Sequence, residues 1–200
     1  MLAYIKGELT QATNEYVVIE AGGLGYKVFM PETAIEKLGN IGENVKVHTY
    51  YRVREDDISI FGFNTQEELR MFELLLSVSG VGAKTAVVII STIEPSDFAL
   101  AVISEDVSEL VKIPGIGKKS AQRIVLELKD KLKKDAISVE ADKKVNTKAQ
   151  TNADVEEAMS ALQVLGYNKK EIEKVFEKID KTNLGLEDLI KKGLAAISKK

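Results

Sequence analysis

From Met1 to Phe63, apolar and polar residues alternate in the short runs LAYIKGEL, EYVVIEA, GYKVFM, NVKVHTYYRV and ISIFGF, separated by turn residues such as Gly22-Gly23 and Gly39-Asn40. A period of two over runs of this length predicts five β-strands. Between the third and fourth runs, PETAIEKLG predicts one short helix, with Pro31 at its start and Gly39 at its end. Five antiparallel strands with a helix in the third connection predict an OB-fold β-barrel over residues 1–63.

At Asn64 the period changes. Thr65 and Glu68 have the spacing of a capping box, and Leu69, Phe72, Leu75 and Leu76 then recur at helical intervals. Ser96–Ile103 and Glu105–Val111 predict two short helices, and Ala121, Ile124, Val125, Leu128 and Leu132 line one face of a longer one. Residues 64–133 are therefore expected to form an all-α domain. Residues 134–152 have few large apolar side chains and no sustained period, which predicts a flexible linker spanning roughly 25 Å r.m.s.. In 153–200 three helical patterns follow, on Val155, Ala158, Leu162 and Leu165; on Ile172, Val175, Phe176 and Ile179; and on Leu186, Leu189, Ile190, Leu194 and Ile197. Breaks at Gly166 and Gly185 make this a three-helix, UBA-like bundle. The chain thus reads as α+β and multidomain.

Composition narrows the function classes. The absence of cysteine excludes a disulfide framework and thiolate metal sites, and fits a reducing compartment. The start MLAYIKGELTQ lacks a basic segment followed by an apolar one, and no apolar run approaches the roughly 18 residues of a membrane span. A cytoplasmic location without membrane contact is expected. Net charge is −3, so bulk electrostatics does not suggest nucleic acid, and any anion site has to be local. The single histidine, His48, falls in an alternating strand and reads as one side chain on a strand face.

One local site is visible. KIPGIGKKSAQRIV, Lys112–Val125, places two lysines in the first turn of a predicted helix, where the helix dipole disfavours cations by roughly 0.3–1 kcal/mol. Thirty-five residues upstream, SVSGVGAKTAVVII repeats the unit, aligning Gly80 with Gly115, Gly82 with Gly117 and Lys84 with Lys119. In each copy the glycines let backbone N–H groups converge at a tight turn, and the next helix aims its unpaired N–H groups the same way. Lys84, Lys118, Lys119 and Arg123 would add charge-assisted contacts to phosphate. Neither copy is a nucleotide fingerprint: GxGxxG would need glycine at Thr85 or Ser120, and a P-loop would need Ser or Thr at Lys119. No cofactor is expected. Backbone and lysine contacts carry no base information, so the predicted ligand is a DNA shape rather than a sequence.

A second candidate is VREDDI, Val53–Ile58, where three acids sit between the fourth and fifth strands. Three uses are open for it: a plain turn, a Mg²⁺ site for phosphodiester hydrolysis built from Glu55, Asp56 and Asp57, or a repulsive element that pushes phosphates apart. Arg54 beside the acids would attract a neighbouring phosphate. Tyr50, Tyr51, Phe61 and Phe63 are candidates for stacking on bases, though a small barrel also needs such side chains as core. The terminal segment carries nine basic and nine acidic residues from Asp154 on, which suits a protein-binding module. A DNA repair nuclease and a protein adaptor acting through this bundle are the alternatives to a DNA scaffold.

Arg54-Glu55-Asp56 followed by Phe-Gly-Phe-Asn at Phe61–Asn64, the paired GVGAK and LVKIPGIGKKSA motifs, and a terminal bundle containing LGY together resemble the RuvA family. The resemblance covers essentially the whole chain; the double helix-hairpin-helix alone is shared with ligases, glycosylases and nucleases. It implies a homotetramer whose basic face holds a four-way (Holliday) junction open, sometimes sandwiched by a second tetramer in an octamer. The implied DNA contacts are Gly80, Gly82, Lys84, Gly115, Gly117, Lys118, Lys119, Arg123 and Arg54, with Glu55 and Asp56 as an acidic pin. The terminal bundle would bind the hexameric ATPase RuvB, and the resolvase RuvC would join the larger complex. The subunit itself would be non-catalytic. Two positions depart from the pattern: Asp57 adds a third acid, and Ala83 stands where the family often has proline.

Overall fold

The computed structural model describes residues 2–137, 151–181 and 184–197. The expected barrel is present. Strands β1 (Tyr4–Ala12), β2 (Tyr16–Ala21), β3 (Leu24–Phe29), β4 (Asn44–Val53) and β5 (Ile58–Phe63) close in the order β1-β2-β3-β5-β4, with helix α1 (Glu32–Glu36) between β3 and β4. All neighbouring strands are antiparallel except β3 and β5, which run parallel and are registered through Phe29 and Phe61.

The alternation that predicted the strands also selects the core. Ile5, Leu9, Val17, Ile19, Val28, Val45 and Val47 point inward and are buried with Met30 and Ala34. Helix α2 (Gln66–Leu76) starts on the predicted box: Thr65 Oγ1 accepts from Glu68 N–H at 3.2 Å, and Glu68 Oε2 accepts from the N–H groups of Asn64 and Thr65 at 2.9 and 3.2 Å. Asn64 Nδ2 donates to the Ala34 carbonyl at 2.7 Å, joining the end of β5 to α1. Fully buried Phe72 on α2 then sits 4.9 Å from the ring of Phe63, 5.2 Å from Phe61 and 5.3 Å from Tyr50. Each such pair contributes about 0.5–1.5 kcal/mol beyond burial.

The remaining helices are α3 (Ala83–Thr92), α4 (Pro95–Ile103), α5 (Val107–Val111), α6 (Lys118–Ile137), α7 (Thr151–Val164), α8 (Lys169–Phe176) and α9 (Leu186–Ile197). The described chain divides into two compact units: Met1–Glu73 with Ala83–Thr92, and Leu74–Gly82 with the described residues from Ile93 on. This division passes through the segment 64–133 that the sequence groups together. Helices α5 and α6 are among the elements whose boundaries differ from expectation. Helix α5 begins at Val107 rather than Glu105, because Asp106 caps it, accepting from the N–H groups of Ser108 and Glu109, and Glu105 takes φ of 58°. Helix α6 runs to Ile137, past the expected linker start at 134, because lysine and alanine favour helix. Helix α7 begins at Thr151, inside the expected linker of 134–152, and residues 138–150 between the two helices lie outside the described residues. Ala158, Leu162, Ile172, Val175, Phe176, Leu189 and Ile190 on α7–α9, and Leu165 just past α7, are buried, as their periods predict.

His48 of β4 is partly buried, and that burial, with Lys46 adding repulsion and Glu67 opposing, holds its imidazole below the ordinary value of 6.5. The neutral form is favoured by folding, so this contribution to stability is present above about pH 6.5 and is lost as pH falls through it, when the unfolded imidazole protonates. His48→Gln is expected to reduce the loss of melting temperature between pH 7 and 5.5. Gly7 and Gly62 leave no room for a methyl group: a Cβ would lie 2.0 Å from the Glu20 carbonyl oxygen and 2.4 Å from Val28 Cγ1. Gly7→Ala and Gly62→Ala are each expected to lower unfolding stability in urea by about 1–3 kcal/mol.

Candidate nucleic-acid interface

Both Gly-x-Gly turns form, and they match. Val81 N–H donates to the Val78 carbonyl at 3.1 Å in the first, and Ile116 N–H to the Ile113 carbonyl at 3.0 Å in the second. Gly80 and Gly115 adopt φ of +84° and +80°. This left-handed backbone costs other L-residues about 1–2 kcal/mol, so the first glycine of each pair is required by the turn itself.

The turn itself does not require the second glycine. Gly82 and Gly117 have no left-handed φ, and a Cβ at either would meet nothing within 4 Å. Each immediately precedes a helix, α3 or α6, and the Gly117 carbonyl accepts from Ala121 N–H at 3.0 Å. A helix start usually carries Ser, Thr, Asp or Asn, whose side-chain oxygen occupies the N–H groups of the first turn. Glycine supplies no oxygen and no bulk. The first-turn N–H groups stay open, and backbone can approach a ligand closely.

The cations fall where the sequence placed them. Lys84 is the second residue of α3, and Lys118 and Lys119 are the first two of α6. All three are exposed, and none makes an ion pair among the described residues. Other lysines in the same region are occupied: Lys112 pairs with Glu109, and Lys129 with Glu105 at 2.7 Å while also donating to the Ile103 carbonyl. Arg123 is exposed, and its Nη1 donates to the Ser79 carbonyl at 3.4 Å, so this cation faces the first turn as well as extending the Lys119 face.

The acidic hairpin sorts its three carboxylates into two kinds. Arg54 N–H donates to the Asp57 carbonyl at 2.8 Å, leaving Glu55 and Asp56 as the tip. Asp57 Oδ2 accepts from the Ser59 hydroxyl and from Arg52 Nη2, both at 2.5 Å, and these bonds hold its carboxyl below the usual carboxylate range. Glu55, Asp56 and Arg54 are exposed and have no such partner among the described residues. Arg52 went unrecognised in the sequence, although its register partner is Ser59 and its guanidinium lies 5.4 Å from the Phe61 ring centroid. The three acids therefore do not converge, and among the described residues no group of three His, Cys, Asp or Glu could hold a metal ion. Of the aromatic candidates, Phe61 and Phe63 are buried core, Tyr50 is half-buried against Phe72, and only Tyr51 is exposed.

Family models described as the RuvA N terminal domain, the SAM-like helix-hairpin-helix tandem and the RuvA C-terminal domain match residues 1–62, 72–130 and 153–198. A curated protein of Acetivibrio thermocellus, "Holliday junction branch migration complex subunit RuvA", is 48% identical over 204 residues and covers 100% of both chains. Proteins of the same name from Ruminiclostridium cellulolyticum and Clostridium botulinum (strain Loch Maree) are 45% and 44% identical over 199 residues, covering 98% and 100% of this chain and 100% of their own. The chain belongs to the RuvA family. Within the RuvA arrangement the acidic tip lies in the matched N-terminal domain, and both glycine turns lie in the matched helix-hairpin-helix tandem. Among the described residues no single helix is long and apolar enough to cross a membrane.

The two glycine roles separate experimentally. Gly115→Ala is expected to cost about 1–2 kcal/mol of stability by urea unfolding. Gly117→Ala is expected to leave stability within about 0.5 kcal/mol while weakening binding to branched DNA.

Proposed function

We propose that this protein binds four-way junction DNA by shape rather than sequence and holds it open for branch migration in recombination and repair. The single observation that carries the proposal is the pair of matched turns, each combining a left-handed glycine, a helix start preceded by glycine and at least one lysine that makes no ion pair among the described residues. Such turns grip phosphates, and two of them per subunit suit the two strands of one duplex arm across its minor groove. Gly80, Gly82, Lys84, Gly115, Gly117, Lys118, Lys119 and Arg123 form this grip, and Arg54 contacts phosphate near the junction centre. The relatives' printed name, a subunit of the Holliday junction branch migration complex, supports the same reading.

Glu55 and Asp56 then act as an electrostatic pin. Their unpaired carboxylates repel phosphates at the strand exchange point, whereas Asp57 spends its charge on Arg52 and Ser59 and braces the hairpin. A four-fold arrangement of subunits places four pins at the centre, and a second tetramer can close over the DNA. The subunit is non-catalytic, needs no cofactor and works in the cytoplasm. The RuvB ATPase supplies the motor and docks on the bundle at 153–200, and RuvC enters the larger assembly to resolve the junction.

The test is a gel-shift titration of a synthetic four-way junction against a linear duplex of equal length, with excess competitor. A strong preference for the junction, in discrete steps, is expected; equal weak binding overturns the proposal. Lys119→Ala should lower affinity for every junction sequence and reduce the slope of log affinity on log salt by about one. Replacing Glu55 and Asp56 by lysine should change the junction-to-duplex ratio more than the total affinity, and a constant ratio would refute the pin.

A further inference from the structure

The two glycine turns differ at one position. Ser79 occupies in the first the place that Pro114 occupies in the second, by the same 35-residue offset that aligns the glycines. Proline fixes its own φ and has no N–H to satisfy, so the second turn is stiffened from within. Ser79 has neither property. Instead, helix α6 holds both of its backbone polar groups: Ser79 N–H donates to Glu127 Oε2 at 3.0 Å, and its carbonyl accepts from Arg123 Nη1 at 3.4 Å. Residues 123 and 127 are four apart and share one face of α6. Arg123 Nη1 would also lie 3.3 Å from a Cβ at Gly80, so the guanidinium is packed against the left-handed residue itself.

Extending the hairpin reading above, on which this rests, we propose that Glu127 and Arg123 are positioning residues that lock the first turn in its phosphate-binding form, replacing the constraint that Pro114 gives the second. Helix α6 begins at the second turn and one helical face of it then holds the first, so one helix registers both glycine turns. Glu127 acts on DNA through Ser79 and touches no phosphate. Arg123 has its guanidinium anchored at the turn, and any phosphate contact it makes is made from that anchored position.

Charge alone gives the opposite expectation. Glu127 is an acid on the helix that carries Lys118, Lys119 and Arg123, so removing it should strengthen attraction to DNA if electrostatics were its whole contribution. A positioning role requires binding to weaken. The experiment is therefore a junction titration across salt with the full-length chain and Glu127→Ala, Glu127→Gln and Glu127→Ala/Ser79→Pro, with Lys84→Ala and Lys119→Ala as probes of the first and second turns.

Glu127→Ala is expected to lower junction affinity about tenfold, the worth of one charge-assisted contact. It should also flatten the salt slope and make Lys84→Ala silent in its background, while Lys119→Ala keeps its full effect. Glu127→Gln, which keeps the acceptor oxygen, should bind within about twofold of the parent. Ser79→Pro should restore affinity to the Glu127→Ala chain, because Pro114 already sits in a turn with the same hydrogen bond and nearly the same glycine φ. Unchanged or increased affinity of Glu127→Ala overturns the proposal. If Glu127→Ala is poorly folded by circular dichroism, the double variant decides: a folded double variant that binds like the parent supports the lock, and one that folds but still binds weakly overturns it. Should Lys84→Ala and Lys119→Ala both leave the parent's affinity unchanged, the hairpin reading falls and the lock with it. A failure confined to the Glu127 variants removes the lock alone.

Discussion

A backbone N–H that is to hold a phosphate has to be left unsatisfied by its own chain, yet kept where water can reach it until the ligand arrives. The left-handed glycines at 80 and 115 meet this requirement by ending one hydrogen-bonded turn abruptly and letting a helix begin with nothing over its first residues. The side-chain arrangement follows from it. Lysines, unfavourable at a helix start in isolation, become favourable once an anion is shared between them and the dipole. Glycine precedes α3, α6 and α9 and no side chain caps α1 or α4, whereas Asp106 and Asn168 cap α5 and α8.

The barrel answers a different problem, that of presenting negative charge on a rigid support in a protein meant to hold a polyanion. A hairpin tip of free acids would be repelled from DNA and splayed by its own like charges. Here one of the three is neutralised within the hairpin by Arg52 and Ser59, and Arg52 is in turn spread over the Phe61 ring. From Phe61 the contacts continue to Phe72 on α2, so the tip is braced down to the aromatic core of its own unit. The net charge of −3 thus says little about local charge, since Asp57 is paired while Lys118 and Lys119 make no ion pair among the described residues.

Much of this was legible in the chain. Period-two alternation located the five strands, and the Thr65–Glu68 spacing marked the start of α2, because both depend on neighbours in sequence. The repeat of Gly-x-Gly-x-Lys exposed the candidate site for the same reason. What stayed hidden depends on residues brought together by folding. The sequence showed three adjacent acids but not that Asp57 turns back to Arg52 and Ser59. It showed Arg123 one helical turn beyond Lys119, but not the hydrogen bonds that α6 makes to Ser79, 44 and 48 residues earlier. It also treated the two glycines of each turn alike, whereas φ shows a conformational requirement only at the first and the space around the missing Cβ shows none at the second.

Closure of the barrel has its own physical character. Four of its seams are antiparallel ladders, but β3 meets β5 through the single registered pair Phe29 and Phe61, whose rings lie 5.8 Å apart and continue to Tyr16. Apolar contact thus carries more of this seam than backbone bonding does. Such contact weakens on cooling, whereas a hydrogen-bonded ladder is held mainly by enthalpy. The seam between β3 and β5 is therefore the part of the barrel whose hold weakens most on cooling.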